Sequence, residues 1–237
     1  MFDVTPHFSV YGIRSSGFVP NYGRLATGEV PPPESREQMD VGVNLSLIDK
    51  KLTVKAGYFD LAQTNFTLCP PSSTDCQRDL ILIPGKRSSG FELDVQGEVA
   101  QNFNIIGSFS STVAKFESTE YQPAATGIPQ YTASLWATYT FPGGQFRGLT
   151  FGLGAQGLSS SVTSPSGSGV DGNAPLYTIP GYVTAEALVS YDFDRWSIQL
   201  KINNLFDKYH YNPSYFSSLV GIGQGRNFLF SARYSFE

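Results

Sequence analysis

The sequence contains no run of about 18 apolar residues, and it has few of the residues that build metal or redox centres. It holds two His, two Met and two Cys in 237 residues. The missing apolar run excludes a transmembrane helix, but a membrane β-barrel stays open, because barrel strands carry apolar residues only at every second position. The small stock of His and Met leaves little material for a resident cofactor, and none is expected.

Charge is also scarce. Only 15% of the residues are charged, and the formal net charge is −4. A protein that follows the phosphates of a nucleic acid needs a basic surface, so no nucleic-acid partner is expected. The chain is instead rich in Gly, Ser, Thr, Tyr and Phe, and at this length it can form one large all-β domain or two smaller ones.

Two segments near the C-terminus alternate between apolar and polar residues. Trp196, Ile198, Leu200 and Ile202 alternate with polar residues, and the pattern returns with an aromatic-rich segment over residues 228–236. Side chains on a β-strand point to opposite faces with period two, so each segment has one apolar and one mostly polar face.

About ten such segments follow one another, joined by connections that are alternately short and long. In bacterial outer-membrane barrels the short turns face the periplasm and the long loops face outward. Ten residues tilted by about 40–45° span roughly 25 Å, the height of the apolar band, and aromatic residues cluster beside the short turns as an interfacial girdle does. The pattern predicts an all-β, antiparallel transmembrane β-barrel of meander strands. The segments cover residues 8–10, 41–47, 52–58, 91–99, 103–109, 131–141, 149–155, 183–191, 196–202 and 228–236, with long loops at about 15–38, 59–87, 118–129, 159–172 and 207–225.

The two cysteines, Cys69 and Cys76, flank a stretch of turn-forming residues. This arrangement favours a local disulfide, which requires an oxidising compartment such as the periplasm or the cell surface. A pair of unbridged thiols is the alternative. A zinc site would need further ligands nearby, and the surrounding sequence has none.

Several stretches resemble the C-terminal half of TonB-dependent outer-membrane receptors. The first is similar to that family's N-x-F-D-K-x-Y strand end, the second to its closing strand, and the third to the start of the preceding hairpin. Weaker matches lie upstream in the expected order. The stretches are Asn203-Asn204-Leu205-Phe206-Asp207-Lys208-Tyr209, Gly225-Arg226-Asn227-Phe228 with Ser231 to Phe236, and Pro180-Gly181-Tyr182, with 16–20, Pro33-Glu34 and 89–93 as the weaker matches.

The resemblance implies that residues 1–237 are the C-terminal part of a 22-stranded barrel that encloses a plug. The segment 1–6 has neither the basic start nor the apolar core of a secretory signal, so signal peptide and plug are expected to be absent, and we favour the back part of a longer protein. The implied function is uptake of ferric siderophores across the bacterial outer membrane, and the catecholate type is one candidate. The implied partners are outer-membrane lipid, the barrel assembly machinery, and the TonB complex through the missing plug.

Ligand binding is expected in the long outer loops. Ferric siderophores are bulky, often anionic and aromatic, so aromatic faces and cationic donors suit them. We expect the set to bind as a group, since any single exposed Tyr or Arg is more often part of an ordinary hydrated surface. The candidates are Tyr22, Arg24, Arg78, Lys86, Arg87, Tyr121, Tyr177, Tyr211, Tyr215 and Phe216.

Enzyme functions have weaker support, and no catalytic residues are expected. His7 and His210 lack the Ser and acid partners of a catalytic pattern. The acidic row of Glu92, Asp94 and Glu98, with Glu186, is expected to face the lumen and suits a hydrated barrel wall. The alternatives are a self-contained ten-stranded outer-membrane barrel, either an omptin-like hydrolase or a small pore, and a secreted β-sandwich binding module.

Overall fold

The computed structural model describes residues 1–49, 51–70, 73–117, 125–164 and 176–236. Its main body is an 11-stranded sheet in which each strand pairs antiparallel with its neighbour, while β9 and β10 form a small separate sheet. The strands are β1 (Phe2–Thr5), β2 (Phe8–Val19), β3 (Glu34–Leu47), β4 (Leu52–Leu68), β5 (Ile81–Ala100), β6 (Phe103–Glu117), β7 (Tyr131–Thr140), β8 (Leu149–Leu158), β9 (Ser161–Thr163), β10 (Tyr177–Ile179), β11 (Tyr182–Phe193), β12 (Trp196–Asn203) and β13 (Asn227–Tyr234).

The predicted all-β antiparallel meander is confirmed. Each of the ten alternating segments coincides with a strand of the main sheet, although β7 and β13 end one and two residues before the predicted segments do. Strand β1 is an additional short strand that pairs with the start of β2. The sheet order runs from β1 to β13, and these two strands form its edges. The described residues therefore form a curved wall of a barrel and not a closed barrel.

One face of the sheet is apolar because the register aligns the apolar positions of successive strands. Ala137 pairs with Leu153, Leu153 with Ala187, and Ala187 with Ile202. Large apolar side chains on this face are strongly exposed, among them Leu153 at 65%. An extended apolar face open to the surroundings suits contact with lipid. Among the described residues, no helix is both long enough and apolar enough to cross a membrane.

The predicted boundaries of two loops were wrong. Strands β2 and β3 extend to Val19 and back to Glu34, and β4 and β5 extend to Leu68 and back to Ile81. The apolar alternation marks only the part of a strand that faces lipid, whereas backbone pairing continues beyond it wherever two strands remain side by side. Lys86 and Arg87 therefore lie in β5 rather than in a loop.

On the polar face, two aromatic rings lie against glycines of neighbouring strands. The Tyr11 hydroxyl occupies the space that side chains at Gly42 and Gly57 would fill. The Trp136 ring likewise covers Gly152 and Gly154. Cross-strand rings over glycine restore contacts that the missing side chains would make, so these positions stiffen the wall.

Candidate functional site

The five long loops all leave the same end of the sheet, because the strands alternate in direction and the short turns occupy the other end. Contacts among the described loop residues divide them into two groups. We call residues 20–33, 69–70 and 73–80 the cationic loop pair. We call residues 125–130, 159–164, 176–181 and 204–226 the aromatic loop cluster.

Backbone hydrogen bonds join the two halves of the cationic loop pair. The Arg24 amide donates to the Gln77 carbonyl at 2.8 Å, and the Leu80 amide donates to the Arg24 carbonyl at 3.0 Å. The Asn21 side chain donates to the carbonyls of Pro32 at 2.6 Å and Asn65 at 2.9 Å. The two loops are thus held together as one unit, although they are about fifty residues apart in sequence.

The expected disulfide lies within this unit. Cys69 and Cys76 are bonded, and Cys76 directly precedes Gln77, whose carbonyl oxygen accepts the Arg24 amide. The bond closes the segment from Cys69 to Cys76, and Arg78 follows two residues after it. Three of the predicted ligand residues, Tyr22, Arg24 and Arg78, meet here around one cavity of about 650 Å³, which is also lined by Gly23, Val30, Cys76 and Gln77.

The aromatic loop cluster is joined in a similar way. The Ser217 amide donates to the Ser164 carbonyl at 3.1 Å, and the Gly127 amide donates to the Val162 carbonyl at 2.8 Å. The Thr163 hydroxyl donates to the Tyr215 carbonyl at 3.4 Å. Thr163 and Ser164 are buried together with Ile179, so hydroxyl-bearing residues share the centre of this cluster with an apolar side chain.

A second cavity, of about 400 Å³, opens in the aromatic loop cluster. It brings together the predicted residues Tyr177 and Tyr211, while the rings of Tyr215 and Phe216 pack on each other at 4.9 Å beside it. Among the residues that the structure describes, no charged side chain lines this cavity, which is completed by Thr163, Thr178, Ile179, Pro180, Ser217 and Val220.

Tyr209 also belongs to this aromatic group, although it was not among the predicted ligand-binding residues. The rings of Tyr209 and Tyr211 meet edge to face at 5.3 Å, and the Tyr209 hydroxyl donates to the Tyr211 hydroxyl at 3.4 Å. This hydrogen bond raises the pKa of Tyr209 above its ordinary value. Tyr209 therefore presents a neutral phenol at physiological pH.

The base of the last long loop depends on Asn204. This residue is buried and has a positive φ of 48°, a conformation that Asn adopts more readily than most residues. Its side-chain amide donates to the carbonyls of Lys208 and Gln224 at 2.9 and 3.0 Å, and its side-chain oxygen accepts the Lys208 amide at 2.8 Å. The Asp207 carboxylate accepts the Arg226 amide at 2.8 Å. The Asn-Leu-Phe-Asp-Lys stretch therefore closes the loop.

Two of the remaining predicted ligand residues, Lys86 and Arg87, line neither of these two cavities. The Lys86 ammonium lies 5.5 Å above the Phe116 ring, and Arg87, on the opposite face of β5, forms an ion pair of 2.9 Å with Asp60. Tyr121 lies outside the described residues. Of the acidic residues predicted on the polar face, Glu98 lies 3.8 Å from the Lys51 ammonium, and Glu186 pairs with Lys201 at 2.7 Å.

An antiparallel meander with an apolar outer face, short turns at one end and cavities among long loops at the other defines a segment of an outer-membrane β-barrel. Residues 1–205 match the family model described as TonB dependent receptor-like, beta-barrel. The chain therefore belongs to this family of bacterial outer-membrane proteins.

Comparisons with individual proteins agree with this assignment. The chain is 26% identical over 235 residues to the metal-pseudopaline receptor CntO of Pseudomonas aeruginosa, covering 98% of this chain and 32% of that receptor. It is 29% identical over 214 residues to the ferrichrome outer membrane transporter/phage receptor of Escherichia coli, covering 86% of this chain and 26% of that protein. The crystal structure of the ferripyoverdine receptor of P. aeruginosa superimposes with a TM-score of 0.83 at 22% identity, covering 99% of this chain and 32% of that one. The chain thus spans about a third of the length of these proteins.

Proposed function

We propose that residues 1–237 form the C-terminal part of the barrel domain of a ferric-siderophore receptor, which supplies barrel wall and extracellular ligand-binding loops. Transport in the whole receptor is energised by the TonB complex, which acts through a plug. The barrel assembly machinery and outer-membrane lipid are its further partners. The protein carries its ligand without chemical change and is not an enzyme.

The main support for this proposal is the arrangement of the long loops. The loops at one end of the sheet gather aromatic and cationic side chains around two cavities of about 400 and 650 Å³. Cavities of roughly 300–1,000 Å³ accommodate ligands of the size of a metal chelate. Aromatic faces bind flat organic groups, and guanidinium groups bind oxygen anions, which are both features of siderophores.

The relatives support a class of ligand rather than a single one. They are named as receptors for metal-pseudopaline, ferrichrome and ferrioxamine B, which are chemically different chelates. Their common feature is a metal ion enclosed by an organic chelator. A tris-catecholate complex of iron(III) is included in our proposal, and titration against a tris-hydroxamate complex tests it.

The hydrolase alternative needs paired acids beside a histidine at the outer rim. His7 belongs to the short turn between β1 and β2, at the opposite end from the cavities. The His210 ring packs on the Tyr182 ring at 4.1 Å, and its Nδ1 lies 2.9 Å from the Lys208 carbonyl oxygen. These contacts give His210 a structural role at the base of the last loop.

The tyrosines of the smaller cavity provide the direct test. Replacing Tyr177 and Tyr211 together with alanine should weaken binding of a ferric chelate by about tenfold, because two aromatic contacts are lost. The measurement is a fluorescence titration of the detergent-purified outer-membrane protein that carries this sequence. Tyr191→Leu, at the short-turn end, is the control and should bind normally. Equal affinity of the double variant and the control would contradict the proposed site.

A further inference from the structure

We propose that the cavity between Tyr22, Arg24 and Arg78 is an anion-binding subsite whose shape depends on the Cys69–Cys76 disulfide. Its ligand is an acidic group on a negatively charged ferric chelate. This inference rests on the proposed function and makes it more specific, since it assigns charge selection to one of the two cavities.

The charges around the cavity support this assignment. Arg24 and Arg78 are both exposed and line the cavity, and no acidic residue is among the described residues that line it. One Arg24 nitrogen donates to the Gly28 carbonyl at 3.0 Å, and the Arg78 Nε lies 3.8 Å from the Asp75 carboxylate. A guanidinium group has five N–H donors, so most donors on both side chains remain open to a ligand.

The two acidic residues in the same loop as Arg78 are engaged in that loop. The Asp75 carboxylate accepts the Gln77 amide at 3.0 Å, and the Asp79 carboxylate accepts the Ser73 hydroxyl at 3.0 Å. A carboxylate that accepts hydrogen bonds of this kind stabilises a turn. Asp75 and Asp79 therefore organise the loop that presents Arg78.

The distance between the two arginines depends on how the loops are joined. A Cβ atom on Gly23, whose φ is +96°, would lie 2.8 Å from the Gln77 carbonyl oxygen and 2.9 Å from the Leu80 Cδ1. The backbones thus approach as closely as glycine permits. Gln77 directly follows Cys76, so the disulfide restrains the segment against which Arg24 is positioned. Cys69 and Cys76 act as positioning residues for the subsite.

The aromatic cavity makes the inference testable, because the described residues that line it carry no charge. Loss of the arginines should therefore change the preference between ligands of different charge and leave the binding of an uncharged chelate intact. A tris-catecholate complex of iron(III) is triply anionic, and a tris-hydroxamate complex is neutral. These two complexes serve as the probes.

The first experiment compares Arg24→Gln/Arg78→Gln with the unmodified outer-membrane protein that carries this sequence. We expect affinity for the anionic complex to fall by about tenfold or more, and affinity for the neutral complex to change by less than about twofold. Arg147→Gln removes an exposed cation at the short-turn end and should change neither affinity. Because the arginines are exposed, the anionic preference of the unmodified protein should also shrink as ionic strength rises.

The second experiment tests the disulfide with Cys69→Ser/Cys76→Ser. We expect the same selective loss for the anionic complex, with heat-modifiable gel migration unchanged. An equal loss for both complexes would overturn the positioning role, and so would unchanged anionic binding. If the unmodified protein binds neither complex, the proposed function fails together with the inference. If it binds both while the arginine variant keeps its anionic preference, only the inference fails.

Discussion

Replacing Gly97 with alanine should lower the free energy of unfolding by about 3 kcal/mol. Gly97 lies in β5 with a φ of +141°, a conformation that residues with a side chain rarely adopt. An added Cβ would overlap the Lys51 carbonyl oxygen in the turn that directly precedes β4. That oxygen accepts the Glu98 amide at 3.0 Å, so it cannot move away without loss of a hydrogen bond.

The measurement is urea unfolding of the detergent-purified protein, followed by intrinsic fluorescence and heat-modifiable migration. Gly143→Ala is the matched control, because Gly143 has extended backbone and nothing lies within 4 Å of the added Cβ. Its effect should stay within about 0.5 kcal/mol. If both variants unfold at the same urea concentration, the close approach at Gly97 does not limit stability.

Replacing Asn204 with alanine should release the last long loop and cost about 3 kcal/mol of local stability. Three hydrogen bonds of a buried side chain are lost, and the Gln224 carbonyl and the Lys208 amide lose their partner. The loop carries Tyr211 of the aromatic cavity, so binding of ferric chelates should weaken while the sheet stays folded. Hydrogen exchange over residues 205–225, beside a ligand titration, measures both effects.

Two further variants show which property of Asn204 is responsible for the effects of its replacement. Asn204→Gly keeps the positive φ but loses the side-chain hydrogen bonds, so it should resemble the alanine variant if those bonds are the main contribution. Asn212→Ala, at an exposed position of the same loop, should change neither exchange nor binding. Faster exchange in the whole sheet would instead show that Asn204 supports the barrel and not the loop alone.

The two predictions concern different parts of the protein. Gly97 belongs to the wall, which faces lipid on one side and needs unbroken pairing because unsatisfied backbone groups in hydrocarbon each cost several kcal/mol. Asn204 belongs to the loops, which lie outside the apolar band. Ligand-binding loops on a rigid wall can differ among relatives while the wall keeps its architecture.

The sequence by itself determined the class of fold and the location of the strands that face lipid. Alternation with period two is a local property, because successive side chains along any strand point to opposite faces. Residues 196–202 and 91–99 therefore indicated their strands without knowledge of their neighbours. The alternation could not locate the strand ends, since pairing beyond the lipid band leaves no apolar pattern, as Lys86 and Arg87 show.

The tertiary structure alone decided which candidate residues share a cavity. Arg24 and Arg78 meet because the backbone at Arg24 bonds to Gln77 and Leu80 of another loop. Arg87 is separated from them because it pairs with Asp60 on the apolar side of β5. Such contacts depend on the register of neighbouring strands and on hydrogen bonds between distant loops. No local sequence period records them, because the residues that form them are tens of positions apart.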